Sequence, residues 1–212
     1  MVQTPQPMAS GAEPSGERPR LKHNHDWHSA EFVGDWRVRD AARTERAVWL
    51  ARLIDAVPFA ADQALRVLDV GGGYGAVSRA VLRAFPHASV TLHDYSQVMF
   101  DQAADYLAKE ADRVAYARAD LWDRSWAMQI GGPFDLVVSA LCIHNLMDMP
   151  VIAACYREVR TVLRSGGVFL DYDHYDHIED MDAHLRLFEQ AGYSRIECLH
   201  YETPTAIVRA TA

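Results

Sequence analysis

Residues 67–79 of the chain read VLDVGGGYGAVSR, and this stretch decides the fold. Its apolar start, VLDV, is typical of a strand that is buried on both faces of a parallel sheet. The glycines allow positive φ angles and let a ligand approach the main chain. A helix begins directly after the turn, so its free N–H groups point toward the same place. The stretch therefore predicts a binding turn, although a plain tight turn is compatible with the same residues.

Strand-like and helix-like segments alternate on the C-terminal side of this turn. The predicted strands are 66–70, 89–94, 113–120, 134–140 and 167–173, and the helices between and after them are about 75–85, 96–110, 122–129, 148–164 and 178–191. This alternation predicts an α/β fold with a doubly wound parallel sheet. The runs SRIECLHYE and TAIVRAT are separated only by about Thr203–Pro204, which is too short for a crossover and predicts an antiparallel hairpin.

The chain divides into three segments by composition. Residues 1–22 are rich in Pro and Gly and poor in large apolar side chains, which predicts a disordered tail. Residues 23–60 form an N-terminal segment that contains a predicted helix over about 37–57 and is interpreted as a helical lid. Its aromatic residues Trp27, Phe32 and Trp36 suit a segment that closes over a ligand, but ordinary packing onto the sheet is equally open. Residues 61–212 form the main domain.

Charge and cysteine content limit the partners and the location. The 212 residues carry 21 basic and 29 acidic side chains, a net charge of −8, which argues against a broad nucleic-acid surface. No run approaches the roughly 18 apolar residues of a membrane helix, and the start lacks a signal-peptide pattern. Cys142, Cys155 and Cys198 are far apart and form no CxxC pair, which is typical of a reducing cytoplasm. The oligomeric state is left open.

Acidic residues end three successive predicted strands: Asp69, Asp94 and Asp120. Ligands of such sheets bind at the carboxyl edge, near the switch in strand order. Asp94 lies 19 residues after Gly75 and can accept both hydroxyls of a ribose. Asp120 can accept the exocyclic amine of an adenine, with the N–H of Leu121 facing a ring nitrogen. The alternative for Asp94 and Asp120 is a helix cap or a turn residue.

Together these features resemble the class I S-adenosylmethionine-dependent methyltransferases. The resemblance rests on D-x-G-x-G-x-G at 69–75, on Asp94 and Asp120, and on the segments FDLVVSALCIHNL and LRSGGVFL, and it covers about residues 65–212. It implies S-adenosylmethionine as cofactor, S-adenosylhomocysteine as product and a Rossmann-like sheet of five parallel strands plus the hairpin, in the order 3-2-1-4-5-7-6. The cofactor-binding residues that it implies are Asp69, Gly71, Gly72, Gly73, Gly75, Asp94, Tyr95, Met99, Asp120 and Leu121.

Within this set the resemblance assigns parts of the cofactor to positions. Gly71, Gly73 and Gly75 are expected to line the methionine part, and Tyr95 and Met99 to pack on the nucleoside. Gly72 departs from the family pattern, since many members have a larger residue there. We expect this departure to cause no important widening of the binding turn.

The resemblance leaves the methyl acceptor open and implies a small molecule. An in-line approach at about 3–3.5 Å supplies most of the rate in methyl transfer, and a base is needed only where the acceptor must lose a proton. His144 follows the fourth strand, and an imidazole with a pKa near 6.5 suits a base. The alternatives are that His144 shapes the pocket or caps the helix near Asp148.

Two other functions use similar residues. An NAD(P)-dependent oxidoreductase also needs a glycine turn and a ribose acid, but G-x-G-x-x-G from Gly71 would end at position 76, where Ala76 stands. Because Ala is tolerated at that position of the oxidoreductase motif, the terminal hairpin and Asp120 must distinguish an oxidoreductase from a methyltransferase. A non-catalytic nucleoside-binding protein is the other alternative.

Two His-rich stretches, HNHDWH at 23–28 and DYDHYDH at 171–177, raise the question of a metal. A cluster of Asp and His after the fifth strand can supply ligands for a divalent ion that orients hydroxyls. We favour solvated loops for both stretches and expect no metal site.

Overall fold

The computed structural model describes residues 25–212; the expected tail and His23 lie outside the described residues. The helices are α1 Ala30–Ala41, α2 Thr44–Asp55, α3 Ala76–Ala84, α4 Gln97–Tyr106, α5 Trp126–Ile130, α6 Met149–Val162 and α7 Met181–Gln190. The strands are β1 Arg66–Val70, β2 Ser89–Asp94, β3 Val114–Arg118, β4 Phe134–Ala140, β5 Leu163–His174, β6 Arg195–Glu202 and β7 Thr205–Thr211. Short 3₁₀ turns cover Ala108–Arg113, Ile143–Leu146 and Tyr175–His177.

One sheet contains all these strands in the order β3-β2-β1-β4-β5-β7-β6. The first five strands are parallel, while β7 pairs antiparallel with both β5 and β6. The predicted α/β fold, its strand order and its terminal hairpin are confirmed. β1 lies between β2 and β4. The chain adds β2 and β3 on one side of β1 and then adds the remaining strands on the other side. A ligand crevice forms at the carboxyl ends of strands beside such a switch point.

Two apolar cores cover the two faces of the sheet. Successive residues of β1 point to opposite faces, so Val67 packs under α2 and α3 while Leu68 packs under α5 to α7. The core under α5 to α7 is the more aromatic of the two. In it the ring of Phe188 stacks on the ring of Tyr156, with centroids 4.0 Å apart. No helix among residues 25–212 is long and apolar enough to cross a membrane.

The N-terminal region differs from the single helix predicted over 37–57. Two helices are present, and α1 begins well before that range, where the Ser29 hydroxyl accepts from the N–H of Phe32. The buried carboxylate of Asp40, near the end of α1, accepts from the Tyr74 hydroxyl at 3.0 Å. That contact ties the junction of the two helices to the glycine turn. Apolar spacing predicted only the α2 part, because α1 is anchored by a cap and by this distant polar contact.

Replacing Phe188 with Ala tests the aromatic core. Phe188 is fully buried, so its loss leaves a cavity beside Tyr156 and should lower the free energy of unfolding by about 3–5 kcal/mol. Urea unfolding measures the change. The control is Met128→Ala, because Met128 is 84% exposed and its loss should change stability by less than about 0.5 kcal/mol. Equal effects of the two substitutions would contradict this account of the core.

Candidate functional site

A cavity opens at the carboxyl ends of β1, β2 and β4. Nine of the ten predicted cofactor-binding residues line it: Asp69, Gly71, Gly72, Gly73, Asp94, Tyr95, Met99, Asp120 and Leu121. Gly75 does not line the cavity. It lies behind the turn with φ +91°, and a Cβ there would meet Leu107 Cδ1 at 2.7 Å. Gly75 therefore allows the helix to pack closely. That any of these ten residues binds the cofactor stays a prediction.

The glycine turn is fastened to the end of β2 by three hydrogen bonds from consecutive amides. Gly71 N–H donates to His93 Nδ1 at 3.3 Å, and Gly72 N–H donates to the His93 carbonyl at 2.8 Å. Gly73 N–H donates to Asp94 Oδ2 at 3.0 Å. Gly71 and Gly73 have φ angles of +62° and +55°, which L side chains rarely adopt. The two strands therefore determine the shape of the turn together.

His93 is a site residue that sequence reasoning missed. Its Nε2 donates to the Ala119 carbonyl at 3.0 Å, while Nδ1 accepts from Gly71, so the ring carries one proton. Burial lowers the pKa of His93 to about 4, which keeps the ring neutral at pH 7. His93 thereby links the turn to the segment that leads to Asp120. The only signal in the sequence was a polar residue beside Asp94 in an otherwise apolar strand.

Asp94 supports the turn and faces the cavity. Its Oδ1 accepts from Ser96 N–H at 2.9 Å, and its Oδ2 accepts from Gly73 N–H. The N-cap of α4 is Ser96, whose hydroxyl accepts from Met99 N–H, so Asp94 is not the helix cap. Burial raises the pKa of Asp94 above its ordinary value. The backbone N–H of Tyr95 also donates to this carboxylate, whose two oxygens have four lone pairs between them, so acceptor capacity remains for a ligand hydroxyl.

Asp69 and Asp120 also have partners within the protein. Asp69 Oδ2 accepts from the N–H and the hydroxyl of Ser78, at 3.0 and 2.6 Å. Its Oδ1 is buried and has no hydrogen-bond donor among residues 25–212. Burial raises the pKa of Asp69 to about 6. Asp120 Oδ1 accepts from Trp122 N–H at 3.0 Å, so Asp120 is a turn residue and a cavity residue together.

The N-terminal segment forms one wall of the cavity. Trp27 and Trp36 line it, and their rings meet edge to face with centroids 5.1 Å apart. The carbonyl of Trp27 accepts from the Ser96 hydroxyl at 2.5 Å, and Phe32 packs against Trp27. The expected aromatic contacts with the site are therefore present, while closing and opening as a lid stays a prediction.

His144 lies beside the cavity in the 3₁₀ turn after β4. Its backbone N–H donates to Asp173 Oδ2 at 2.9 Å, and its ring Nδ1 is paired with Asp173 Oδ1. Its neighbours Cys142 and Asn145 line the cavity, but His144 does not. The cap of α6 is Asp148, which accepts from the N–H of Val151.

The carboxylate of Asp173 determines the protonation of His144. Burial alone would lower the pKa of the imidazole, but the charge and hydrogen bond of Asp173 outweigh it and leave that pKa above its ordinary value. Burial acts to raise the pKa of Asp173, and His144 outweighs it in turn, holding that pKa low. Imidazoles oriented in this way by a carboxylate are typical of catalytic bases. Sequence reasoning missed this role of Asp173.

The stretch 171–177 is not the solvated loop that we expected. Asp171 and Asp173 are buried on β5, and Asp171 accepts from the Tyr175 hydroxyl at 2.8 Å. The rings of His174 and His177 each lie 5.1 Å from that of His144. In the other stretch, His25 packs on Trp27 and Phe32, and His28 packs on Tyr95. Between residues 25 and 212, no group of three or more His, Cys, Asp or Glu is placed to hold a metal ion.

Comparison with known proteins agrees with this geometry. Residues 67–167 match the family described as "Methyltransferase domain". Malonyl-[acyl-carrier protein] O-methyltransferase of Geobacter sulfurreducens is 35% identical over 108 residues, which are 49% of this chain and 36% of that protein. Fumosorinone synthetase of Cordyceps fumosorosea is 30% identical over 142 residues, 65% of this chain and 3% of that protein. The chain thus spans little more than a third of the first of these relatives and a small fraction of the second.

Solved structures share the fold at low sequence identity. PigF with SAH superposes with a TM-score of 0.69 at 15% identity, over 88% of this chain and 60% of that one. The CurJ carbon methyltransferase has a TM-score of 0.73 at 12% identity, over 85% and 59%. Residues 67–167 are thus similar to a methyltransferase domain, and the chain shares its fold with solved methyltransferases, as the motifs predicted.

Gly72 tests how tightly the turn is packed. A Cβ at this position would lie 2.8 Å from Leu92 Cγ and 2.9 Å from Asp69 Oδ2, so the departure from the family pattern matches a lack of space. Gly72→Ala should lower the free energy of unfolding by about 1–3 kcal/mol, measured by urea titration. Gly34→Ala is the control, because nothing lies within 4 Å of its added Cβ in α1, and it should stabilise by up to about 1 kcal/mol. Effects of the same sign would contradict this packing.

Proposed function

We propose that this protein transfers a methyl group from S-adenosylmethionine to a small-molecule acceptor. The observation that carries the proposal is that one cavity brings together the glycine turn and three acids, Asp69, Asp94 and Asp120, from the ends of successive strands or the turns directly after them. The match of residues 67–167 to a methyltransferase domain supports it. The proposal concerns the activity of the whole protein, because the chain spans only part of the relatives it matches.

The residues of the cavity fit the proposed cofactor. Asp94 would accept from the ribose through the acceptor capacity that the N–H groups of Gly73, Tyr95 and Ser96 leave free. Asp120 and the N–H of Leu121 would hold the adenine. Tyr95 and Met99 would pack on the nucleoside, and the turn at 71–73 would follow the methionine part. When bound, the cofactor supplies a methyl group on a sulfonium that leaves as a neutral thioether.

His144 is the proposed base for acceptors that must lose a proton. Asp173 pairs with Nδ1, which leaves Nε2 of the neutral ring to take the proton from the acceptor as the acceptor attacks the methyl carbon. The proton then rests on His144, and the adjacent carboxylate stabilises the resulting imidazolium. Asp173 acts as a positioning residue because it reaches the acceptor only through His144.

Solved methyltransferases with this fold are named for different acceptor atoms. The structural neighbours include the mitomycin 7-O-methyltransferase MmcR and an O-methyltransferase family 2 protein from Planctomyces limnophilus in complex with apigenin. The CurJ neighbour is a carbon methyltransferase. The wall contributed by Trp27, Trp36 and Trp122 gives this cavity the apolar surface that small organic acceptors need.

The remaining assignments are also proposals. We divide the chain into a tail at 1–22, an N-terminal lid at 23–60 and the methyltransferase domain at 61–212. A reducing cytoplasm is the proposed location, supported by three cysteines that form no disulfide with one another. The net charge of −8 supports a partner that is neither nucleic acid nor anionic membrane.

Binding of S-adenosylhomocysteine to Asp94→Ala tests the cofactor site. The loss of two charge-assisted hydrogen bonds should weaken affinity at least about tenfold by titration calorimetry. Asp101→Ala, on the exposed side of α4, is the matched control and should bind like the unaltered protein. Thermal melting verifies that both variants are folded. Unchanged affinity in folded Asp94→Ala would remove the ribose assignment, and tight binding of NADH in place of S-adenosylhomocysteine would favour an oxidoreductase.

The pH dependence of His144 tests the proposed base. Because Asp173 raises the pKa of His144, nuclear magnetic resonance should show that ring titrating above 6.5, and Asp173→Asn should move it downward. A base must be neutral, so activity should fall as pH drops through this pKa, and the acidic limb should move to lower pH in Asp173→Asn. After a screen of phenols, amines, carboxylates and thiols has found an acceptor, His144→Ala should lower kcat by about 10²–10⁴ with cofactor affinity unchanged. An unaltered rate would exclude His144 from the mechanism.

A further inference from the structure

A second cavity, which the proposed function does not use, lies between α1, α3, α4 and the 3₁₀ turn that follows α4. Its volume is about 330 Å³, and pockets for small organic ligands begin at about 300 Å³. It shares no lining residue with the cavity at the glycine turn, so it is a separate candidate site. We call it the cationic cleft. Its lining residues are Arg37, Arg79, Asp105, Tyr106, Ala108 and Lys109.

The lining of the cationic cleft carries more positive than negative charge, in a chain whose net charge is −8. The cations come from three different elements, so they are not the solvated face of one helix. Within residues 25–212, none of Arg37, Arg79 and Lys109 forms an ion pair with a carboxylate. Their charge is therefore left for a ligand.

Arg79 is fixed in the cleft by an aromatic ring. Its guanidinium carbon lies 4.4 Å from the centre of the Tyr106 ring. Stacking of this kind uses the face of the guanidinium and leaves the N–H groups at its edge for other partners. The Nε of Arg79 is buried and has no hydrogen-bond acceptor among the described residues. Because a buried donor without an acceptor is costly, we expect a ligand to supply one.

Arg37 reaches the cleft from α1. Its Nη1 donates to Gln102 Oε1 at 2.5 Å, which holds the side chain against α4 and leaves its other donors free. The preceding residue, Trp36, lines the cavity at the glycine turn. The Tyr74 ring lies between the two cavities, since it contacts both Trp36 and Tyr106 edge to face. A ligand in the cleft would therefore hold α1, and Trp36 with it, against the rest of the domain.

We propose that the cationic cleft binds the phosphate group of a small phosphate monoester. Two guanidinium forks and one ammonium match the three oxygens and the double charge of such a group. A carboxylate offers two oxygens and a single charge, which are too few for three cations. The volume of the cleft leaves room for the organic part of the ligand, and Asp105 can accept from a hydroxyl on that part. The inference does not depend on the proposed function.

Titration calorimetry of the full chain with ribose 5-phosphate, at about 0.15 M salt to screen general attraction, tests the cleft. Arg37→Met and Arg79→Met should each weaken binding at least about tenfold, and Arg79→Lys should restore part of the loss. Arg83→Met is the matched control one turn further along α3. Because Arg83 lies outside the cleft and 4.0 Å from Glu110, its loss should change affinity by less than about twofold. Inorganic phosphate should bind more weakly than the monoester, and ribose should not bind.

Saturating S-adenosylhomocysteine distinguishes the cleft from the other cavity. Ribose 5-phosphate should still bind and should slow hydrogen exchange in residues 30–41 and 104–110. Displacement by S-adenosylhomocysteine, an equal loss in Arg83→Met, or no saturable binding would overturn the inference. Phosphate binding as tightly as the monoester would overturn the monoester assignment. If S-adenosylhomocysteine itself does not bind, the proposed function fails while the titration still tests the cleft. Thermal melting verifies folding, and the two Met variants change different helices.

Discussion

The amides of Gly71, Gly72 and Gly73 donate to the ring, the carbonyl and the neighbouring carboxylate at the end of β2. The site depends on this attachment. These bonds hold the turn at positive φ, place two of the strand-end acids side by side and orient His93. A side chain at Gly71 would collide with Cys142 after β4, so the close approach of β4 depends on the same turn. Three neighbouring strands are thereby brought to one crevice.

The crevice concentrates carboxylates where water is scarce. Burial raises the pKa values of Asp69 and Asp94, and hydrogen bonds from Ser78, Gly73 and Ser96 oppose that shift. Without those donors, burial of two charges would disfavour the folded state. The arrangement suits a ligand that carries a positive centre and hydroxyl groups.

A second set of polar side chains lies where β4 and β5 pair in parallel, one strand further along the sheet from β1. Their register sets Ser139 opposite Asp171, and Asp173 lies two residues further on the same face. That register places the Asp173 carboxylate against the turn that carries His144. The pair is thus a consequence of strand neighbours, as the crevice is.

The sequence by itself determined the order and type of most elements, because apolar spacing, glycines and prolines act over a few residues. It also determined that acids follow three strands and that a glycine turn precedes α3. The partner of His144, 29 residues away at Asp173, and the partner of Gly71, 22 residues away at His93, were decided only by the tertiary structure. The same holds for the division of the N-terminal helix and for the burial of 171–177. These features depend on which strands become neighbours, and a local pattern carries no information about contacts made across the sheet.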